Sequence, residues 1–418
     1  MLRATSGYNK TIRRGFLLLL AATLAACGGA GTNDSVPAGT VRYLADRIIV
    51  GDGSVLEPGL LDVRDGLITN VEEVGTIMGG SGEESFVDLR GMTIMPAIVD
   101  AHVHLSTTRD GIINDLRQRA TVGVSAALSL GADGEEVPLG IRSESIPGAA
   151  RYLSAGRGIT SPEPGRNPIP HWVTTEEEAR AAVRAEAARE VDFIKIWVDD
   201  RDGQYEKLSE AMYTAVIDEA HANGLKVTAH IFTLEDGKGL LRAGIDAFAH
   251  GVRDRDIDDE FVELALARPE VVLVPNLPSR GMPTSLAWLE GLVPDTQLDA
   301  LETNNVVNPD VQAAHGIQAR NLARLAEAGM TIAMGTDGNV FWAPHVEMED
   351  MVAAGMSPAD VIVASTKNSA EIIGLDDTGV LAPGMRADFI VLGSNPLEDI
   401  TNTRDIADVF LAGERVNR

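Results

Sequence analysis

The sequence has a single cysteine and no long apolar segment. Because Cys27 is the only cysteine among 418 residues, the chain forms no internal disulfide and has no catalytic thiol elsewhere. The apolar run Phe16–Ala26 contains 11 residues and is too short to cross a bilayer. No glycine-rich phosphate loop with its lysine occurs either. These absences exclude a disulfide scaffold, a thiol enzyme and a P-loop nucleotide site.

Positive charge is also scarce. The formal net charge is −27, which excludes nucleic acid and an anionic membrane face as expected partners. Hydrophobic residues make up 44% of the chain, enough for a full buried core, so disorder is not expected. The acidity is interpreted as a solvated surface and says little about the reaction.

The first residues have the pattern of a targeting segment. Basic residues such as Arg13 precede the apolar run, and the run ends in Leu-Ala-Ala-Cys-Gly, which resembles a bacterial lipobox. This predicts a signal peptide at residues 1–26, lipidation of Cys27 and a flexible tether at residues 27–40. The chain is then exported and lipid-anchored to the bacterial cell envelope, at the outer membrane on its periplasmic or surface side. An ordinary cleaved signal with an incidental cysteine is the alternative.

The two ends of the mature chain are alike. Residues 41–91 contain short strand-like runs broken by glycine, and residues 379–418 show the same pattern. No helical periodicity occurs in the first of these segments. Together they predict one small composite β-sandwich domain built from the N- and C-terminal segments.

The middle of the chain, residues 92–378, alternates apolar runs with helical stretches, which indicates parallel βα units. Eight strands are expected, the number that a (β/α)8 TIM barrel of the α/β class needs. The predicted strands are Thr93–His104, Gly123–Leu130, Arg151–Ser154, Phe193–Val198, Lys226–His230, Ala247–His250, Val271–Pro275 and Thr331–Gly335.

The strongest chemical feature is a His-x-His motif at the end of the first of these strands. Side chains alternate along a strand, so His102 and His104 are expected on the same face, pointing into the barrel. Two imidazoles at this spacing form half of a metal site. Two structural histidines at a polar strand end are the alternative.

Three further residues end predicted strands in the same way. His230, His250 and Asp337 each close a buried run, where catalytic residues of such barrels gather. A single histidine at a strand end is more often structural than a metal ligand. Four histidines and an aspartate, all at strand ends, predict a shared metal site.

Lys195 lies inside an apolar strand, where a lone ammonium is costly unless it is paired or neutralised. One solution is reaction of the neutral amine with carbon dioxide, which gives a carbamate that bridges two cations. A salt bridge to a neighbouring acid is the alternative.

The order and context of these residues resemble the amidohydrolase superfamily, in the branch of imidazolonepropionase-related proteins and prolidase-like Xaa-Pro dipeptidases. The resemblance extends from Val41 to Val416. Besides the predicted ligands, it rests on the segments Asp88–Pro96, Gly335–Asp337 and Gly384–Phe389. It implies a metal-dependent hydrolase in which His102, His104 and Asp337 hold one metal, His230 and His250 hold the second, and carboxylated Lys195 bridges both.

The implied cofactors are two divalent ions, with zinc favoured and manganese or cobalt open. Such ions acidify a water molecule towards neutral pH and polarise the scissile carbonyl, while Asp337 takes the proton and passes it to the leaving amine. The expected reaction is hydrolysis of an amide or peptide C–N bond in a dipeptide or N-acyl amino acid. The alternatives are a lactone, carbamate or phosphoester hydrolase with the same site, or a lipid-anchored binding protein without turnover.

Three loop residues are candidates for substrate binding. His345 lies in the loop after Asp337, His171 in the loop after the third strand, and Arg280 after the seventh, where it could pair with a substrate carboxylate. Each is also compatible with a purely structural position. The expected partners are therefore a small molecule or dipeptide and a membrane only through Cys27; association into a homo-oligomer is left open.

Overall fold

The computed structural model describes residues 37–75, 85–134 and 136–418. The predicted signal peptide, the lipidation site Cys27 and nearly all of the predicted tether lie outside these ranges and stay predictions. Within the described part of the chain, no helix has the length and apolar character needed to cross a membrane.

Strands from both ends of the chain share one eight-stranded sheet. Its order is β18-β17-β16-β5-β1-β3-β4, with the short β2 paired to β1. The strand bounds are β1 Val41–Ile49, β2 Val55–Leu56, β3 Gly59–Arg64, β4 Leu67–Glu73, β5 Ser85–Pro96, β16 Phe389–Leu392, β17 Ile406–Leu411 and β18 Glu414–Arg415. We call it the terminal sheet.

Aromatic packing joins the two ends across the terminal sheet. The rings of Phe389 and Phe410 stack with centroids 4.6 Å apart, and Tyr43 meets both of them edge-on. Because β5 pairs with β1 on one side and with β16 on the other, the N-terminal and C-terminal strands bury a common core.

Eight parallel strands form the barrel. They are β6 Ile98–Val103, β7 Val124–Ser129, β8 Arg151–Ser154, β11 Ile194–Val198, β12 Val227–Ile231, β13 Ala247–Ala249, β14 Val272–Val274 and β15 Thr331–Ile332. β6, β7 and β8 form one parallel run, and β11 to β15 form a second, which two short strands, β9 Ile159–Thr160 and β10 His171–Trp172, extend. The predicted α/β barrel fold is confirmed, with all eight strands near their expected places.

Backbone hydrogen bonds connect the two runs at both ends. The amide of Ala101 donates to the carbonyl of Met334 over 3.0 Å, and Asp192 donates to Ser154 over 2.9 Å. Apolar side chains from strands all round the ring then meet in one buried cluster that includes Ala101, Leu128, Phe193, Ala247 and Val274. The barrel interior is therefore a packed core below the polar strand ends.

Helices cover the barrel. Their bounds are α1 Arg109–Thr121, α2 Glu136–Ile141, α3 Glu176–Ala187, α4 Glu210–Ala222, α5 Leu234–Ala243, α6 Asp259–Leu266, α7 Asp295–Asn304, α8 Pro309–Ala328, α9 Ala343–Ala353, α10 Pro358–Val363 and α11 Ser369–Ile372. Local signals set several of these ends: Thr175 and Ser357 cap α3 and α10, and Gly329 ends α8 in a left-handed conformation.

The first predicted strand differs from the structure in one respect. Thr93–His104 was expected to be continuous, but β5 ends in the terminal sheet at Pro96 and β6 begins in the barrel at Ile98. Between them, the amide of Ala97 donates to the carbonyl of Asp388, whereas the amide of Ile98 donates to Gly123 beside β7. The chain thus changes sheets at this point, which an unbroken apolar run does not reveal.

Candidate metal centre

Five of the six predicted ligands lie at or near the C-terminal ends of barrel strands, and the sixth, Lys195, is the second residue of β11. His102 is in β6 and His104 follows it, Lys195 and His230 lie in β11 and β12, His250 directly follows β13, and Asp337 is in the loop after β15. Parallel strands end on the same side of a barrel, so strand order alone brings these side chains towards one another.

Three imidazoles converge on the carboxylate of Asp337. Its Oδ1 is 3.1 Å from Nε2 of His102 and 3.0 Å from Nε2 of His104, and its Oδ2 is 3.4 Å from Nε2 of His250. Ligand atoms of His102, His250 and Asp337 all lie within 4.8 Å of one another, a spacing that could hold a metal ion. The structure thus brings four of the six predicted ligands together.

His230 stands beside this group with a partner of its own. Its ring centroid is 4.7 Å from that of His250. Its Nε2, however, is 3.1 Å from Oδ2 of Asp199, and the same oxygen accepts a hydrogen bond from Nη1 of Arg201 over 2.6 Å. The second half of the site therefore contains an aspartate and an arginine, Asp199 and Arg201, that the sequence prediction did not include.

Lys195 is fully buried in β11, and its Nζ has no hydrogen-bond partner among the described residues. The amine lies 5.5 Å from the ring centroid of Trp197. Burial lowers the pKa of Lys195 to about 7, although the charge of Asp337 opposes the shift. A large share of this amine is neutral at neutral pH, which is the form that can react with carbon dioxide.

The buried histidines are also held in their neutral form. Burial is the main cause that lowers the pKa of His102 to about 4 and that of His230 to about 3. Burial opposes ionisation of Asp337, but the surrounding imidazoles outweigh it and hold the pKa of that carboxyl well below its usual range. Neutral imidazoles and an ionised carboxylate are the protonation states that bind divalent metal.

The donor set fits a divalent metal. Within the described ranges, Nε2 of His102 and Nε2 of His250 are buried without a hydrogen bond of good geometry. Buried polar atoms normally have partners, so orphaned nitrogens that face one carboxylate indicate a missing ligand. Imidazole nitrogen and carboxylate oxygen suit zinc and neighbouring transition metals.

The backbone at the site is held in unusual conformations. His250, Asn276 and Asp337 have positive φ angles of 88°, 46° and 52°. Residues with side chains rarely adopt this region, and such strain gathers at functional sites. Gly335 adds a close approach, because a Cβ there would stand 2.8 Å from Cβ of His102. The loop after β15 is therefore fitted tightly against β6.

Polar neighbours orient the first histidine. Nδ1 of His102 donates to Oδ1 of Asn276 over 2.9 Å, which fixes the tautomer with Nε2 free for a metal. Asp100 accepts from the hydroxyl of Thr336 over 2.7 Å and so ties β6 to the loop that carries Asp337. Both contacts set the angle between the His-x-His motif and its carboxylate.

The three predicted substrate residues are not brought to this group. The ring nitrogens of His345 lie 3.0 Å from Thr403 Oγ1 and from the carbonyl of Val122. His171 lies 2.7 Å from Glu186, and Arg280 is 2.6 Å from both Glu349 and Asp350. Each of the three already has protein partners, and a role in substrate binding stays a prediction.

Sequence reasoning missed four polar residues around the ligands: Asp199, Arg201, Arg253 and Asn276. A signal was available, since each follows a barrel strand within four residues at the end that carries the ligands. Loop residues after a barrel strand are candidates by position alone, but nothing in their spacing says which of them turn inward.

A cavity lies among the segments that follow three of the barrel strands. It has a volume of about 580 Å³, and its lining residues follow β6, β7 and β8, in loops and in the first turns of α1 and α2: Thr107, Thr108, Arg109, Ala132, Asp133, Gly134, Val137, Pro138 and Ile169. Gly131, which precedes the lining residue Ala132, packs against Lys195, because a Cβ on this glycine would stand 2.9 Å from Cγ of that lysine. This volume is in the range of small-molecule sites.

Comparisons with known proteins agree with this arrangement. The amidohydrolase family model matches residues 93–416. An imidazolonepropionase from Deinococcus deserti is 27% identical over 393 residues, which cover 86% of this chain and 92% of the relative.

Two solved structures are similar over nearly the whole described chain. A putative prolidase from Bifidobacterium longum is 28% identical with a TM-score of 0.75, covering 91% of this chain and 95% of its own. A Xaa-Pro dipeptidase with methionine bound in its active site is 22% identical with a TM-score of 0.73, covering 91% and 100%. The second likeness shows the fold alone.

Proposed function

Since this chain belongs to the amidohydrolase family, an enzyme family of carbon–nitrogen bond hydrolysis, we propose that it hydrolyses the amide or peptide bond of a small substrate, a dipeptide or an N-acyl amino acid. The observation that carries the proposal is the convergence of three imidazole Nε2 atoms on Asp337 at the catalytic end of the barrel.

The metal arrangement within this proposal has two sites. His102, His104 and Asp337 would hold one ion, His230 and His250 would hold the second, and a carbamate on Lys195 would bridge them. The orphaned Nζ of Lys195 and the orphaned Nε2 atoms of His102 and His250 support this assignment. Zinc suits the imidazole-rich donor set, and manganese or cobalt would also fit it.

When bound, such ions lower the pKa of a water molecule and polarise the carbonyl of the substrate. The chain's own contribution is proton transfer at Asp337. Its carboxylate is kept ionised by three imidazoles, so it accepts the proton of the attacking water and returns it to the leaving nitrogen. Asn276 keeps His102 in the tautomer that leaves Nε2 available.

The named relatives favour a carbon–nitrogen bond over the lactone or phosphoester alternatives. The imidazolonepropionase and the putative prolidase are both named for reactions at such bonds. The six predicted ligands are present in this sequence, which favours turnover over a binding role.

We also propose that Cys27 anchors the enzyme to the cell envelope. The support is the lipobox-like sequence at residues 24–28. Palmitate labelling and membrane fractionation of wild type and Cys27→Ala test this, with label and membrane association expected only in the wild type. Labelling of the variant would contradict it.

The proposed activity is tested by metal analysis and a substrate panel. We expect about two divalent ions per purified chain, and hydrolysis of at least one dipeptide or N-acetyl amino acid that stops with a chelator and returns with Zn²⁺, Mn²⁺ or Co²⁺. A metal-loaded chain that cleaves no amide in the panel would contradict the proposal.

A further inference from the structure

Arg253 has a buried guanidinium edge without a partner. It lies in the loop after β13, and its backbone amide donates to the carbonyl of Phe232 over 2.9 Å, which fixes the loop against the end of β12. Its Nε and Nη2 are buried and have no hydrogen-bond partner among the described residues. Arginine stays charged in proteins, so a buried edge of this kind is costly unless an anion meets it.

Arg253 follows the predicted ligand His250 by three residues, and its loop is bonded to the residue after β12, the strand that carries His230. Burial is the largest cause of the lowered pKa values of Lys195, His230 and His250, and in all three the charge of Arg253 adds to it. Burial likewise lowers the pKa of Arg253, while the charges of Asp337 and Asp199 oppose it. The guanidinium is therefore close enough to act electrostatically on both halves of the site.

Neither nearby carboxylate satisfies it. The oxygens of Asp337 face three imidazoles, and those of Asp199 face His230 and Arg201. Divalent ions next to Arg253 would add to the repulsion, so the bound metals make an external anion more necessary.

Two neighbouring arginines have guanidinium groups that are hydrogen-bonded to carboxylates. Arg201 donates to Glu163 over 2.9 Å and to Asp199 over 2.6 Å. Arg255, two residues after Arg253 and exposed, donates to Asp254 over 2.7 Å. Arg253 differs from both because its Nε and Nη2 are buried without a partner among the described residues, three positions after the predicted ligand His250.

From this contrast, and resting on the proposed hydrolase function, we propose that Arg253 binds the carboxylate of an anionic substrate. The N–H groups of Nε and Nη2 lie side by side on one edge of the guanidinium, which matches the two oxygens of a carboxylate. Within the proposed dipeptides and N-acyl amino acids, the free carboxylate is then the group that Arg253 recognises, so substrates without it, such as neutral amides and lactones, are disfavoured.

The test uses matched substrate pairs with the metal-loaded full chain. Each pair is an N-acetyl-L-amino acid and its α-carboxamide, which share the scissile bond and differ in the negative charge. We expect the wild type to favour the acid, and Arg253→Gln to lower kcat/KM for the acid by about 10- to 100-fold while changing that for the carboxamide by less than about threefold. Arg255→Gln is the matched control and should change neither.

A binding measurement supplies a readout besides turnover. Calorimetry with the amino acid released from the fastest pair, and with its amide, should show tighter binding of the acid to wild type and loss of that preference in Arg253→Gln. Arg253→Lys keeps the charge without the paired N–H groups, so an intermediate preference is expected. The preference of the wild type for the acid over the amide tests the proposal even if a variant fails to fold.

The outcomes separate this inference from the function on which it rests. Equal losses for acid and carboxamide in Arg253→Gln, or a wild type that prefers the carboxamide, would overturn the role of Arg253 and leave the hydrolase intact. Equal losses together with lost metal would assign Arg253 to the carbamate of Lys195 instead. A metal-loaded wild type that hydrolyses no member of either series and no dipeptide overturns the proposed function and this inference with it.

Discussion

Two buried lysines of this protein have opposite surroundings. Lys238, on α5 in the outer helical layer, donates to Asp258 over 2.6 Å and to Glu260 over 2.8 Å, and these hydrogen bonds raise its pKa. Lys195, on β11, has no hydrogen-bond partner in the described part of the chain, and burial lowers its pKa. The structural lysine Lys238 is therefore paired with acidic side chains. Lys195 has no such partner, so its neutral amine is able to react.

Replacing each lysine in turn gives the largest expected effect. In Lys195→Ala, we expect kcat/KM to fall by more than about 100-fold and bound metal to decrease, since loss of a ligand should exceed the 10- to 100-fold typical of its outer partners. Lys238→Ala should keep its metal and activity, because its ion pairs with the half-exposed Asp258 and Glu260 lie in the outer helical layer and contribute little to stability. Metal analysis and steady-state kinetics on both variants check this, and equal behaviour of the two would break the comparison.

The pH dependence of stability should differ between the two lysines. For metal-free protein in CO₂-free buffer, the unfolded chain protonates Lys195 up to its ordinary pKa of 10.5, whereas the folded chain releases that proton above about pH 7. Between these values the unfolded state binds more protons, so the free energy of unfolding rises with pH, by an amount on the order of a few kcal/mol.

Urea unfolding between pH 7 and 10 measures this rise against two variants. Lys195→Met should lack it. Lys238→Met should keep it, because the raised pKa of Lys238 makes its own contribution present below pH 10.5 and lost only above. A wild type whose stability stays flat relative to Lys195→Met would show that the amine is not held neutral.

A smaller effect is expected from the group that orients His102. Asn276→Ala removes the acceptor of its Nδ1 proton, and we expect metal affinity to fall by about 10- to 100-fold. Asn305→Ala is the control, since the side-chain amide of Asn305 bonds to the backbone of Thr284. Competition with a chromophoric chelator measures the affinity; unchanged affinity in Asn276→Ala would remove it from the site.

The smallest effect is expected at Arg280. Its guanidinium already pairs with Glu349 and Asp350. Arg280→Gln should therefore change KM by less than about threefold. A rise in KM well above that, limited to substrates with a carboxylate, would assign substrate binding to Arg280 rather than to Arg253.

Much of the barrel could be predicted because its signals are local. Eight apolar runs, each bounded by helix caps or glycines, give the strands, and parallel strands place their ends together without further information. The change of sheet at Pro96 could not be predicted, because residues 94–99 are apolar without a break and are buried on both sides of the change. The end of β5 is set by the strand with which each residue pairs, and not by residue type.

The site also contains residues that could be predicted from the sequence and residues that could not. His102, His104 and Asp337 were predictable because strand ends carry them into one place. The partners Asp199 and Arg253 were not, because they lie in loops where backbone conformation decides which side chain turns inward. The positive φ of Arg201, 54°, is such a feature, and no spacing rule gives it. His345 was expected in a loop but lies in α9, and its contacts, like those of Arg280, could not be predicted from spacing.

The most direct test of the carbamate at Lys195 is carbon-13 NMR of chain that has been loaded with Zn²⁺ in the presence of ¹³C-bicarbonate. We expect one carbamate resonance in the wild type and in Lys238→Ala, and none in Lys195→Ala. A wild type that binds two ions without that resonance, or a resonance that persists in Lys195→Ala, would contradict the role given to Lys195.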